Sequence, residues 1–147
     1  RDKYCVNRLI GFYQQQPTNL AAYFLAAWKF KHRAVLGQSN ATLADIAAAE
    51  HVSPKYLAAV WSALTDESFD VGPMGKVQQM WRELPAPSET GTGLLPADEM
   101  EKARAGCVAI RDWVKSLRRK LEPSVKGLKV SGVHEGSQSF VLWKNRQ

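Results

Sequence analysis

Residues 42–64, with the sequence TLADIAAAEHVSPKYLAAVWSAL, constrain the fold more than any other part of the chain. Thr42 is a good N-cap, and Asp45 three residues later is the acid of a shortened capping box. Ser53, followed by proline, can cap a second helix. Because only a short turn at His51 separates the two helices, the segment predicts a helix-turn-helix-like hairpin. His51 stands where this unit usually has glycine.

Apolar periodicity predicts further helices on both sides of this hairpin. Residues 4–16 are expected to form a helix that Pro17 ends, because proline disfavours helix at the residue before it. Residues 20–36, which are apolar almost all round in their first half, are expected to form a buried helix closed by Gly37. Residues 76–84 are expected to form a short amphipathic helix.

A long helix is predicted over residues 98–121, after a segment at 85–97 whose Pro, Gly, Ser and Thr content is typical of a linker. Apolar side chains in this helix alternate at intervals of three and four residues, which predicts an a/d seam. The seam consists of Met100, Ala103, Cys107, Ile110, Val114, Leu117 and Leu121. Pro123 is expected to end the helix.

The C-terminal tail alternates apolar and polar residues around positions 128–130 and 140–142. This alternation predicts two extended segments or a short β-hairpin. The chain is therefore expected to be mainly α: a multi-helix bundle with one long a/d-seam helix and an extended or β-hairpin tail. Residues 1–84 are the expected helical unit, residues 85–97 a mobile linker, and residues 98–147 dock on the first unit to give one domain.

The net charge of +6 is divided unevenly along the chain. Residues 1–33 carry +5, residues 34–110 carry −5 and residues 111–147 carry +6. Because the acidic middle can neutralise both basic ends, internal docking competes with binding of nucleic acid or anionic lipid. The basic candidates are Lys29, Lys31 and Arg33 and, as a possible interaction surface, Lys115, Arg118, Arg119 and Lys120. The chain has no run of eighteen apolar residues, so no transmembrane segment is expected.

Nucleic-acid binding through the hairpin is the main alternative to a structural role. A DNA-reading helix presents polar side chains from its first turns to the edges of bases. The candidate contacts here are Ser53, Lys55 and Tyr56, and no Arg, Asn or Gln accompanies them. Because the surrounding segment is net negative, we expect repulsion from phosphate. The pattern therefore favours a structural hairpin.

The chain carries no motif for catalysis or for a cofactor. It lacks G-x-S-x-G, H-E-x-x-H and a phosphate loop, so enzyme activity is not expected. Cys5 and Cys107 have neither CxxC nor CxxCH spacing, so neither a zinc site nor covalent haem attachment is expected. Both cysteines lie on predicted apolar helix faces, which is typical of buried thiols. A Cys5–Cys107 disulfide is the alternative for an exported protein.

Several strings, taken in order, resemble a segment of the large exported proteins of planctomycete type that combine c-type cytochrome domains with domains of unknown function. They are LAAYFLAAWKFKHRA at 20–34, DIAAAEHVSPKYLAAVWSAL at 45–64, MWRELPAP at 80–87, CVAIRDWVKSLRRKLEP at 107–123 and SFVLWKNRQ at 139–147. The resemblance implies an exported or envelope-associated multidomain protein in which haem is bound only by CxxCH motifs of separate domains. This sequence has no such motif, so no haem-binding residue is carried over.

We therefore expect a non-enzymatic helical scaffold or interaction module whose partners are other domains of the same polypeptide or another protein. The first residue, Arg1, and the lack of a signal-peptide pattern favour a piece of a longer chain. The alternative is a small helix-turn-helix nucleic-acid-binding protein, which would be cytoplasmic. A third hypothesis is an adaptor whose a/d seam recruits another helix.

Overall fold

The computed structural model describes residues 19–69, 72–89, 91 and 93–130, and within these ranges the chain is a mainly α-helical bundle without β-strands. The helices are α1 (Leu20–Lys31), α2 (Leu43–Ala49), α3 (Pro54–Thr65), α4 (Gly72–Arg82) and α5 (Ala97–Val130), with a 3-10 turn at Glu67–Phe69. The predicted helix at 4–16 and most of the predicted tail lie outside the described residues.

Helix α1 is the centre of the bundle, because α2, α3 and α5 all pack against it. Its buried side chains point in every direction around the axis over its first two turns: Leu20, Tyr23, Phe24, Leu25, Ala26, Ala27 and Trp28. Asn19 precedes the helix without giving a side-chain cap. Since an uncapped short helix is marginal in water, burial among three neighbours is what stabilises α1.

The capping chemistry predicted for the hairpin is present. Thr42 Oγ1 accepts a hydrogen bond from the backbone N–H of Asp45 at 3.0 Å, and the Asp45 carboxylate accepts one from the N–H of Thr42 at 2.9 Å. Ser53 Oγ accepts from the N–H of Tyr56 at 3.3 Å and starts α3. His51 has a φ of 58°, so this residue adopts the left-handed conformation that glycine, the usual residue at this turn position, adopts most easily. These caps confirm α2 and α3.

Helix α4 begins at Gly72, earlier than the predicted residue 76, and carries a fully buried amide at Gln78. Gln78 Nε2 donates hydrogen bonds to the carbonyls of Ala63 at 2.8 Å and Asp66 at 2.7 Å. These carbonyls belong to the last turn and the C-cap of α3, where helical partners run out. Gln78 therefore terminates α3 from a neighbouring helix. Its Oε1 has no hydrogen-bond partner among the described atoms.

The predicted seam of α5 faces the bundle. Ala103, Cys107, Ile110 and Val114 are each no more than 2% exposed, and the helix packs against α1 and α4. At Gly106 the end of the Leu84 side chain, just after α4, lies so close that an added Cβ would overlap its Cδ2. Because the centre of the seam is buried within the chain, it does not support the adaptor hypothesis.

The described part of the connection from α4 to α5 is tied to the bundle at Pro85 and Ser88. Trp28 Nε1 donates to the carbonyl of Pro85 at 3.2 Å, and, in the reverse sense, Trp81 Nε1 donates to the carbonyl of Phe24 at 3.2 Å. Ser88 donates from its N–H and its hydroxyl to the Glu99 carboxylate, at 2.8 and 2.6 Å. The segment predicted as a linker is thus tied to α1 and α5.

Two predicted helix ends are wrong. Helix α1 ends at Lys31 and residues 32–37 form turns. In these turns the Arg33 guanidinium folds back and donates to the carbonyl of Phe30 at 2.8 Å. Gly37 closes these turns with a φ of 71°.

At the other end, α5 continues through Pro123 to Val130. The helix continues past this proline although the ring lacks a backbone donor and crowds the carbonyl four residues earlier. Positions 128–130 are therefore helical, and the first of the two predicted extended segments is wrong. Residues 140–142 lie outside the described part of the chain.

Candidate interaction surface

Aromatic rings from three helices form a continuous row on one side of the bundle. Phe30 of α1 packs edge-to-face on Trp61 of α3, with ring centroids 4.9 Å apart and planes at 90°. Trp61 packs in the same way on Trp81 of α4, at 5.9 Å and 86°. Such T-shaped pairs are the arrangement that the ring quadrupoles favour. The rings therefore hold each other in fixed orientations across three helices.

A cation lies at each end of this row. The Arg33 guanidinium carbon is 4.0 Å from the centroid of Phe30, and Lys31 Nζ is 4.9 Å from the centroid of Trp81. Both distances are typical of cation–π contacts. We call the set Arg33–Phe30–Trp61–Trp81–Lys31 the cation-capped aromatic row.

The row is accessible to a partner over most of its length. Phe30, Trp61 and Arg33 are partly exposed and Lys31 is exposed, whereas Trp81 is buried at 2%. Trp81 therefore anchors the row in the core, and the other four side chains present it at the surface.

The basic cluster predicted from the sequence is divided by the structure. Lys29 donates to both oxygens of the Glu50 carboxylate, at 3.0 and 2.9 Å, and ties α1 to the turn between α2 and α3. In the part of the chain that the structure describes, the ion pairs are Lys29–Glu50, Arg104–Glu101 and Arg111–Asp112. Lys31 and Arg33 therefore face aromatic rings without a carboxylate partner among these residues.

The predicted nucleic-acid contacts are mostly used inside the bundle. Ser53 caps α3 with its hydroxyl, and its backbone N–H donates to the Tyr23 hydroxyl at 3.0 Å. The Tyr56 ring packs edge-to-face on Tyr23, with centroids 6.4 Å apart. Lys55 is exposed. Of the three candidates, Lys55 alone points a charged group outward.

The predicted interaction surface on α5 and the predicted disulfide each include side chains outside the part of the chain that the structure describes. Lys115 is exposed on α5, while the side chains of Arg118, Arg119 and Lys120 lie beyond the described ones. Cys107 is a fully buried free thiol, and burial raises its pKa to about 12. Cys5 is among the undescribed residues, so its pairing stays a prediction.

His32 is a half-buried ionisable group near the row. Its Nε2 is buried without a hydrogen-bond partner within the described ranges, and its ring packs on Trp28 with centroids 5.3 Å apart. Burial, and secondarily the charge of Lys31, lowers the pKa of His32 below its ordinary value. The neutral imidazole is therefore the form that the fold favours.

A shallow cleft of about 470 Å³ lies beside the α1–α2 connection. It is lined by Gly37, Gln38, Ser39, Asn40, Ala41, Asp45, Ile46 and Ala49. The carboxylate in this lining, that of Asp45, is already used in the capping box of α2. The described residues contain no group of three or more His, Cys, Asp and Glu that could hold a metal ion.

Sequence reasoning missed the row because its aromatic members are separated by 31 and 20 positions and belong to different helices. Comparisons with protein-family models, with curated proteins and with solved structures give no match for this chain. Among the helices that the structure describes, none combines the length and the apolar character needed to cross a bilayer.

Proposed function

We propose that this chain is a non-enzymatic helical interaction module of a larger exported protein, docking on other domains of that polypeptide. Haem, in this proposal, belongs to separate c-type cytochrome domains. The observation that carries the proposal is the cation-capped aromatic row. Trp, Tyr, Phe, Met and Arg are the residues enriched in protein interfaces, and the row brings Phe30, Trp61 and Arg33 together at the surface.

The fixed geometry of the row favours binding as well. Association costs free energy when flexible side chains must be ordered, about 0.5–1.5 kcal/mol for each rotamer-rich side chain. Here the guanidinium of Arg33 is already held by the Phe30 ring and carbonyl, and Trp61 is held between two rings. Much of the ordering is therefore complete before a partner arrives.

Hydroxyl-radical footprinting tests the proposal. The oxidation of Phe30 and Trp61 is compared between the isolated 147 residues and the complete natural polypeptide, with Trp28, buried at 1%, as the internal reference. We expect several-fold protection of Phe30 and Trp61 in the complete polypeptide and no change at Trp28. Equal oxidation in both preparations, or a natural polypeptide no longer than this chain, would refute the proposal.

Nucleic-acid binding is the second candidate, because α2 and α3 have the geometry of a helix-turn-helix. A seven-residue helix, a tight turn with left-handed His51 and a twelve-residue helix follow each other, and both pack on α1. Fluorescence anisotropy with a mixed-sequence duplex at several salt concentrations tests this candidate. Binding that weakens steeply with salt and is lost in Lys55→Glu would favour it over the interaction module.

A further inference from the structure

We propose that the cation-capped aromatic row binds a short extended peptide segment with a carboxylate near each end and apolar residues between them. The proposal rests on the interaction function above and specifies the chemistry of the partner. It starts from one arrangement: a cation at each end of the row and partly exposed rings in the middle.

The cations retain hydrogen-bonding capacity for a ligand. A guanidinium has five N–H donors in its plane. Arg33 stacks its face on Phe30 and uses Nη1 on the Phe30 carbonyl, so further donors remain at the edge. Lys31 has three donors, and its contact with Trp81 is through the ring face. Both groups can therefore donate hydrogen bonds to a carboxylate while they keep their aromatic contacts.

The path along the row sets an upper limit on the separation of the two cations and therefore on the length of the ligand. Consecutive distances along the row are 4.0, 4.9, 5.9 and 4.9 Å, so the cations are at most about 20 Å apart. An extended chain advances about 3.3 Å per residue. The two acidic residues of the ligand are thus no more than about six positions apart, and the residues between them lie over Phe30 and Trp61.

Charge favours an acidic peptide over a nucleic acid. Nucleic-acid backbones require an extended basic surface, because affinity comes from neutralising many phosphates. The row offers two cations, and the following segment, residues 34–110, carries a net charge of −5. A peptide with two carboxylates matches the two cations and meets little of the repulsion that a long polyanion would meet.

The test is an NMR titration of the 147-residue chain that follows the indole N–H resonance of Trp61. The probe is an acetylated and amidated hexapeptide with Glu at both ends and Pro-Leu-Pro-Leu between them. A matched peptide has Gln at both ends. Because two surface ion pairs distinguish the probes, we expect the Glu peptide to bind about three- to tenfold more tightly at low salt. At 0.5 M salt the ratio should approach one.

Variants test whether the preference for the Glu peptide depends on the two cations of the row. The double variant Lys31→Gln/Arg33→Gln should bind both peptides equally, and Lys55→Gln, which removes an exposed cation outside the row, should retain the preference. The peptide and salt comparisons on the unmodified chain need no variant to fold. Equal binding of the two peptides, a stronger effect of Lys55→Gln, or tighter binding of duplex DNA at Trp61 would overturn the proposal.

Self-association of the chain through Trp61, seen as concentration-dependent broadening without peptide, would also overturn it in favour of a second copy as the occupant. Failure here is distinguishable from failure of the proposed function. Footprint protection of the row without a preference for the Glu peptide would retain the interaction module and reject the acidic partner.

Discussion

Replacing Gln78 by Met tests whether one buried amide terminates α3. Methionine fills nearly the same volume and lacks the amide, so the change removes two hydrogen bonds without opening a large cavity. The carbonyl of Ala63 would then be left buried without a donor, while that of Asp66 is closer to solvent.

The expected magnitude follows from these contacts. A buried carbonyl left unpaired costs about 1–3 kcal/mol, and a second, partly buried hydrogen bond contributes about 0.5–1.5 kcal/mol. Removing Gln78 also removes its unpaired Oε1, which stabilises the folded state by about 1 kcal/mol. We therefore expect Gln78→Met to lower the free energy of unfolding by about 2 kcal/mol.

Gln78→Glu adds a dependence on pH to the same test. At neutral pH a carboxylate would face two carbonyl oxygens in a buried site, which raises its pKa in the folded state. A raised folded-state pKa means that the stability is retained below the unfolded-state pKa and lost as pH rises through the folded-state pKa. The deficit of Gln78→Glu relative to the unmodified chain should thus be larger at pH 7 than at pH 4.

Urea unfolding followed by circular dichroism at 222 nm measures both variants, with the exposed Gln79→Met as the control. A stability of Gln78→Met within about 0.5 kcal/mol of the unmodified chain would refute the role given to this amide. A deficit of Gln78→Glu that does not change with pH would refute the placement of its side chain against the carbonyls.

Four further predictions concern other sites. Because His51 adopts a φ of 58°, His51→Gly should raise the unfolding free energy by about 1 kcal/mol, whereas a β-branched residue there should lower it. Urea unfolding checks both. Gly106→Ala should raise the unfolding free energy by up to about 1 kcal/mol through helix propensity, because the overlapping atom is the flexible end of the half-buried Leu84 side chain, which can move aside. A loss of stability in this variant, measured by urea unfolding, would contradict this. Because burial lowers the pKa of His32, the fold should lose stability as pH falls below 6.5, and His32→Phe should reduce this loss in unfolding curves between pH 7 and 5. Cys107 should react with a maleimide only after unfolding, as peptide mapping by mass spectrometry can show, because its thiol is fully buried; labelling of the native chain within minutes would contradict that burial.

Local chemistry explains which parts of the fold the sequence could predict. The hairpin was predictable because its helix caps are local. Each capping hydrogen bond made by Thr42, Asp45 or Ser53 joins residues three positions apart. The position of the turn at His51 was predicted, and its left-handed backbone is a finding of the structure. The seam of α5 was predictable from its spacing, and the structure buries Cys107 at its centre.

Long-range contacts explain what the sequence could not predict. The end of α1 is different, since the contact of Arg33 with Phe30 found there is local and helix periodicity alone did not indicate it. The division of the basic cluster depends on Glu50, 21 positions from Lys29. The aromatic row depends on the packing of three helices, which brings Trp61 between rings that are distant in sequence. Candidate site residues chosen by type alone therefore missed this row.

The reciprocal indole hydrogen bonds between α1 and the end of α4 have a consequence for how this fold can be made and inherited. The Trp28 indole donates to the carbonyl of Pro85, and the Trp81 indole donates to the carbonyl of Phe24. Each bond joins residues 57 positions apart. During synthesis, α2 and α3 can therefore pack on α1 before the Trp28 indole gains its acceptor, which is available only when residue 85 has left the ribosome. For the same reason, a recombination that transplanted only α1 to α3 would leave the Trp28 indole N–H without this acceptor, at a cost of about 1–3 kcal/mol. The full set of hydrogen bonds made by α1 thus requires the chain that follows α4.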